Sequence, residues 1–166
     1  MTKQIDIDQK REQYNQFVHK CKTIVISSKD QNGHPFISYS PFVQHDGNFY
    51  IYISKISDHY SYIEENDVIH VMLLADEQDA SNLFARERAR FQCTTTNIGN
   101  DGYEEIFDKF EEIHGAPMMG VLRGLDLSLF ELTPIEGRYV VGFGLAFDID
   151  LPGEKFHHVV REKKDK

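Results

Sequence analysis

Arg86, Arg88 and Arg90 stand two residues apart in the segment LFARERARF. On an extended strand that spacing puts all three side chains on one face, with Ala89, Phe91 and Cys93 on the other. Three like charges in a row repel unless an anion lies among them. The row therefore reads in one of two ways. It is a surface for the carboxylates or phosphates of a small ligand, held by charge-assisted and often bidentate hydrogen bonds, or a solvated face paired with Glu87 and its acidic neighbours. The chain as a whole is acidic, with 18 Lys+Arg against 27 Asp+Glu and a formal charge of -9, so the row is a local exception.

The eight histidines show no H-x-x-x-H or H-E-x-x-H spacing, which leaves a dedicated metal site without a motif. His19, His34 and His45 fall in helix-end or turn contexts and read as surface residues. His70, inside VIHVMLL, reads as a core histidine. His59 follows Ser57 and Asp58 at the end of a strand, where a loop side chain can reach a groove. His157 and His158 sit together in the tail LPGEKFHHVVREKKDK; solvent alone could hold them, or a mobile imidazole there could swing onto a metal held by its own macrocycle. Asp126 opens the strand GLDLSLFEL and could orient such a histidine through its second ring nitrogen, or cap loop amides. Gly142, Gly144 and Ala146 share one strand face, a flat strip for a planar ring or another backbone, unless the glycines only let a barrel strand coil.

G-x-S-x-G, P-loop and Rossmann glycine patterns are all missing from the sequence, so serine hydrolase, NTPase and dinucleotide dehydrogenase chemistry have no support. The acidic balance repels phosphate backbones and anionic lipid, which argues against nucleic acid as a partner. No apolar run approaches the roughly 20 residues of a membrane helix, and the charged N-terminus lacks a signal peptide's apolar segment. A cytoplasmic protein is expected, with Cys21 and Cys93 as reduced, buried thiols that belong to no C-x-x-C.

The elements that must position these residues follow from periodicity. Residues 3–20 lack strand alternation, and Ile5, Tyr14, Phe17 and Val18 can share a helical stripe. TIVISS, PFISYSPFV and FYIYIS, separated by Gln-Asn-Gly-His and His-Asp-Gly-Asn turns, read as a three-strand meander. A short helix over 57–66, capped by Ser57 or Asp58, precedes a strand VIHVMLLA buried on both faces. FARERARFQCTTT is the next strand, and Asp101 caps a helix running through Tyr103, Ile106, Phe107, Phe110 and Ile113 to Gly115. LDLSLFELTP and GRYVVGFGLAF pair as a hairpin across residues 135–137. The expectation is one domain: an N-terminal helical segment (1–21), a small, mostly antiparallel β-barrel (22–150) with one or two further helices, and a C-terminal tail (151–166).

Four stretches together, TIVISSKDQNGHPFISYSPFV, FYIYISKISDHYSYIEENDVIHVMLL, LFARERARF and LSLFELTPIEGRYVVGFGLAF, resemble the haem-utilisation proteins of the HugZ/HutZ type. Those belong to the pyridoxamine-phosphate-oxidase-like FMN-binding split barrels. The resemblance spans about residues 22 to 158. It implies a split-barrel homodimer that binds haem at the subunit interface and opens the porphyrin oxidatively, with an external electron donor, to release iron.

Carried over by position, the resemblance makes Arg88 an arginine near the haem site, Asp126 the aspartate that supports the proximal histidine, and His59 a histidine following the third strand. The family's ligand histidine lies a few residues beyond an F-x-H sequence. His158 matches that F-x-H, whereas the ligand position falls near Lys163 or Lys164, which leaves His158 or His157 as substitutes. A flavin is the alternative. Oxidases of this superfamily hold the FMN phosphate with an arginine in the second strand and a Ser-Lys pair after the third. Here Ser38 and the segment Ser57-Asp58-His59 occupy those places, and Arg86 and Arg88 would have to compensate.

Overall fold

The computed structural model describes residues 3–161; Lys163 and Lys164 lie outside the described residues. Helix α1 (Ile7–Lys20) begins at Asp6, whose carboxylate accepts the Gln9 amide at 3.0 Å and satisfies one of the orphan donors of the first turn. Tyr14, Phe17 and Val18 form its buried face. Ile5 precedes the helix and packs on the core from there.

Nine strands follow among the described residues: β1 (Thr23–Lys29), β2 (Pro35–Pro41), β3 (Val43–His45), β4 (Asn48–Ser54), β5 (Val68–Leu74), β6 (Arg88–Gly99), β7 (Leu127–Gly142), β8 (Leu145–Ile149) and β9 (Phe156–His158). They pair antiparallel in the order β2-β1-β5-β6-β7-β4-β3, with β8 beside β7 and β9 beside β8. The expected meander is instead two hairpins at opposite ends of this order. Pro41, which has no N–H to donate, ends β2, and Phe42, 2% exposed, turns into the core before β3 begins.

The expected hairpin turn at 135–137 is absent, because β7 runs straight through it. Pro134 pairs with Cys93 and Glu136 with Gln92, so Ile135 is the extra residue of a bulge, a place where a strand tolerates proline. The turn lies later, at Phe143 and Gly144, and Gly144 adopts φ 68°. Strand β7 is thus the spine of the fold. It keeps β6 on one side from Leu129 to Val140, while its other side pairs with β4 up to Leu132 and with β8 from Gly137. The sheet splits at that exchange.

Inside the curled sheet lie Phe42, Phe49, Phe91, Phe130, Tyr139, Phe147 and Phe156, closed over by Tyr14 and Phe17 of α1. Helix α2 (Asp58–Glu65) contributes Tyr60 and Ile63 to the same core. Helices α3 (Glu104–His114) and α4 (Ala116–Arg123) build a second core outside the barrel, in which Ile106, Phe107, Phe110 and Met119 cover Val43, Tyr50 and Leu129. The N-cap of α3 is Tyr103, with no side-chain cap bond, and not Asp101. Helix α4 adds to the helices expected; Pro117 and Gly120 within eight residues disguise it, although proline suits a first turn. The mostly antiparallel split barrel with an N-terminal helix is the observed architecture.

Candidate functional site

Strand β5 buries Ile69, Val71 and Leu73 and turns His70 and Val68 outward, so it is covered on one face in this chain and His70 is not a core histidine. The same alternation holds across the sheet and defines an outer face. Cross-strand partners share a face, and on this one Tyr39, Val25, Met72, Arg90, Arg138, Asp148 and His157 form a continuous row from β2 to β9. A second row holds Ile37, Ser27, His70, Gln92 and Glu136. A third holds Leu74, Arg88, Val140 and Ala146. At about 4.8 Å per strand, the face is apolar toward β2 and cationic toward β7.

The arginine row is therefore rearranged. Arg88 and Arg90 lie on β6 as expected, but Arg86 precedes the strand. Asn82 caps a short 3-10 turn over Leu83–Ala85 through its side chain, which keeps residue 86 out of the ladder. The Arg86 Nε donates to the Ala75 carbonyl at 2.6 Å and its Nη1 lies 3.5 Å from Glu77. Arg138, which the misplaced turn concealed, takes its place, directly opposite Arg90. Arg88 donates to the Arg86 carbonyl at 2.8 Å. Among the described residues Arg90 has no acidic partner, whereas Arg138 Nε donates to Asp148 Oδ1 at 2.8 Å.

Phe156–His158 of the tail form a strand and are not held by solvent alone. β9 pairs with β8, and the Val159 amide donates to the Ala146 carbonyl at 2.8 Å. The period of two sends the adjacent histidines to opposite faces: His157 is exposed in the first outer row, and His158 packs against Phe147 with its Nε2 2.8 Å from the Gly144 carbonyl. Since that carbonyl only accepts, Nε2 carries the proton and Nδ1 is left with a free lone pair. The flat glycine strip is overturned. Gly142 ends β7 and Gly144 lies in the turn, so they do not line one strand face with Ala146.

Asp126 stands one residue before β7, exposed and paired with Lys55 Nζ at 2.9 Å. Twelve residues of chain, about 40 Å along the strand, separate it from Arg138, whose partners lead to His157. Within one chain it supports neither tail histidine; the Gly144 carbonyl performs that office for His158. Ser57 is the N-cap of α2, and its Oγ donates to the Ser54 carbonyl at 2.6 Å instead of capping an amide. His59, in the first turn of α2, is half-buried, and burial lowers its pKa against the opposing pull of Asp58, which keeps the imidazole neutral. Ser38 Oγ is buried without a hydrogen-bond partner.

Below α1 a cleft of about 960 Å³ opens toward residues 75–87, lined by Lys20, Cys21, Asp79, Arg86 and Glu87. Glu87 accepts a 2.5 Å hydrogen bond from the buried Tyr139 hydroxyl. Burial raises the Glu87 pKa, opposed by that bond and by Lys10 and Lys20. Burial likewise pushes the Cys21 thiol up to about 11 and the Cys93 thiol up to about 12, so neither is a nucleophile at neutral pH.

The pyridoxamine 5'-phosphate oxidase family profile matches residues 11–141. A Vibrio cholerae protein named haem oxygenase HutZ is 32% identical over 136 residues, 81% of this chain and 77% of that one. A crystal structure of V. cholerae HutZ, described there as a haem storage protein, superposes with a TM-score of 0.72 at 30% identity, over 79% of this chain and 93% of that one. Campylobacter jejuni ChuZ superposes with a TM-score of 0.84 at 29% identity; it covers 94% of this chain, which spans 64% of ChuZ. The split sheet, the β6 arginines and these matches lead to one conclusion: the chain belongs to the pyridoxamine 5'-phosphate oxidase-like split-barrel family, on the branch that holds HutZ and ChuZ.

Proposed function

We propose that the chain binds haem on the outer face of its sheet, as a homodimer, and opens it oxidatively with electrons from an external donor. The observation that carries this reading is the outer row itself. It places an apolar floor (Tyr39, Val25, Met72) beside cations (Arg90, Arg138, with Arg88 next to them) and an exposed imidazole, His157. A flat apolar ring with carboxylates at one edge and a metal at its centre needs that combination. The relationship to HutZ, named an oxygenase in one case and a storage protein in another, supports haem as the ligand. Haem iron supplies the oxygen chemistry when reduced; the chain's residues bind, orient and shield the ring.

A homodimer fits the apolar end of the face, where Ile37 and Tyr39 are 72% and 59% exposed. A cytoplasmic setting agrees with two free cysteines, Cys21 and Cys93; no helix among the described residues is long and apolar enough to cross a membrane. Flavin is less favoured, because Ser38 and Asp58 stand where a phosphate would need cations.

Hemin titration followed by ascorbate under oxygen tests the proposal. A saturable Soret band that bleaches with iron release supports turnover. A stable Soret band reduces the function to storage, and a purified protein carrying a flavin spectrum overturns the haem reading.

A further inference from the structure

On the outer face, between β5, β6, β7 and β8, lies a shallow pocket of about 280 Å³ lined by three cations, Arg90, Arg138 and Lys155, two carboxylates, Glu136 and Asp148, and His70, Gln92 and Gly137. Arg90 and Arg138 are directly opposed cross-strand neighbours, an arrangement that destabilises a sheet unless an anion relieves it. Asp148 relieves Arg138 alone, through Nε at 2.8 Å, which leaves the Nη groups of Arg138 for another acceptor. Neither Arg90 nor Lys155 has an acidic partner within 4 Å among the described residues. Gln92, two residues along β6 from Arg90, adds an amide donor.

We propose that this pocket is the oxyanion subsite of the ligand face, receiving a carboxylate of the bound ligand. Resting on the haem reading, this makes a haem propionate its occupant and fixes the ring's direction: carboxylate edge toward β7 and β8, apolar edge over Met72 and Val25, with His157, beyond the carboxylate edge on β9, left to a ring seated on a second copy. The subsite is built from Arg138 and Lys155 as much as from the β6 arginines. Arg90 supplies the planar fork that a carboxylate matches bidentately, and Lys155 a point charge from the β8–β9 connection.

The test compares hemin with hemin dimethyl ester, whose carboxylates are masked, on wild type, on Arg90→Met/Lys155→Met and on Arg90→Lys. Both substituted residues are exposed, and circular dichroism checks that each variant is folded. Wild type should prefer hemin, the double variant should lose roughly tenfold or more in hemin affinity with ester affinity unchanged, and Arg90→Lys should fall between. Equal binding of hemin and ester by wild type, or an unchanged preference in the double variant, overturns the subsite while leaving haem binding intact. Should wild type bind neither, the haem reading fails, and inorganic phosphate decides the pocket. Saturable NMR shifts of the Arg90 and Lys155 signals uphold an oxyanion site, and their absence removes it.

Discussion

His158 donates from Nε2 to the carbonyl of Gly144, 2.8 Å away, across the turn that joins β7 to β8. The bond fixes the ring and leaves Nδ1 as its acceptor, on the face opposite to His157. Two adjacent histidines are thereby separated in role. One is locked against Phe147, and the other is free in the cationic row.

Single variants should separate them. His157→Ala is expected to remove the histidine-ligated ferric haem spectrum and suppress ascorbate-driven bleaching, while His158→Ala keeps the spectrum. The reverse pattern would assign ligation to Nδ1 of His158. A His157→Ala/His158→Ala protein with wild-type Soret band and bleaching rate would exclude the tail and direct attention to the neutral imidazole of His59.

Arg88 borders the row, with a half-buried stem and its Nη1 on a backbone carbonyl. Arg88→Ala should weaken hemin binding by about 1.5 to 3 kcal/mol, the range for hydrogen bonds to charged groups, with an unchanged thermal midpoint. Equal affinity in a folded variant would return Arg88 to an ordinary solvated position.

Association is expected through the apolar end of the outer face. Light scattering at micromolar concentration should give about twice the 19.3 kDa chain mass, and Ile37→Asp/Tyr39→Asp should give the monomer. A monomeric wild type would remove the dimer and with it any site shared between copies.

Glu87 gives a pH signature. Burial raises its folded pKa above its unfolded value of about 4.5, so the native state holds its proton longer. Stability conferred by that proton is present at acid pH and lost as pH rises through the folded pKa. Glu87→Gln keeps an acceptor for Tyr139 and removes the titration. Its unfolding free energy should gain on wild type as pH rises from about 4.5 through the raised folded pKa, and a pH-independent difference in urea midpoints would contradict this.

Gly137 shows how far the sequence could be read. TPIEG contains a proline and a glycine, the usual punctuation of a turn, but here they mark a bulge and a close contact. A Cβ on Gly137 would lie 2.7 Å from the Phe91 ring and 2.9 Å from the Ile149 carbonyl. Gly137→Ala should therefore cost about 1–3 kcal/mol, measured by urea unfolding; a turn glycine would tolerate the change.

Local alternation made β1, β4 and β6 legible, and the 3.6-residue spacing revealed α1 and α3. Turn or bulge at residues 134–137 depends on whether β6 continues alongside, which no local pattern records. The same ambiguity hid Arg138 opposite Arg90 and put Gly142 and Gly144 on a strand face. His70 was misplaced because VIHVMLL is apolar on both parities, although Val68, His70 and Met72 look outward. Half of the cationic row was visible in LFARERARF; the other half required the register of β7.

The length of β7 carries a genetic consequence. It holds Asp126 about 40 Å along the strand from the row that leads to His157, so a site that needs both must be assembled in trans. Two inactive alleles, Asp126→Asn and His157→Ala, should then complement each other when co-expressed. Random pairing yields about a quarter of sites fully wild-type, each within a mixed dimer whose other site carries both lesions. No mixture rescues the double mutant in cis, and that asymmetry would map the site's two halves without a structure of the complex.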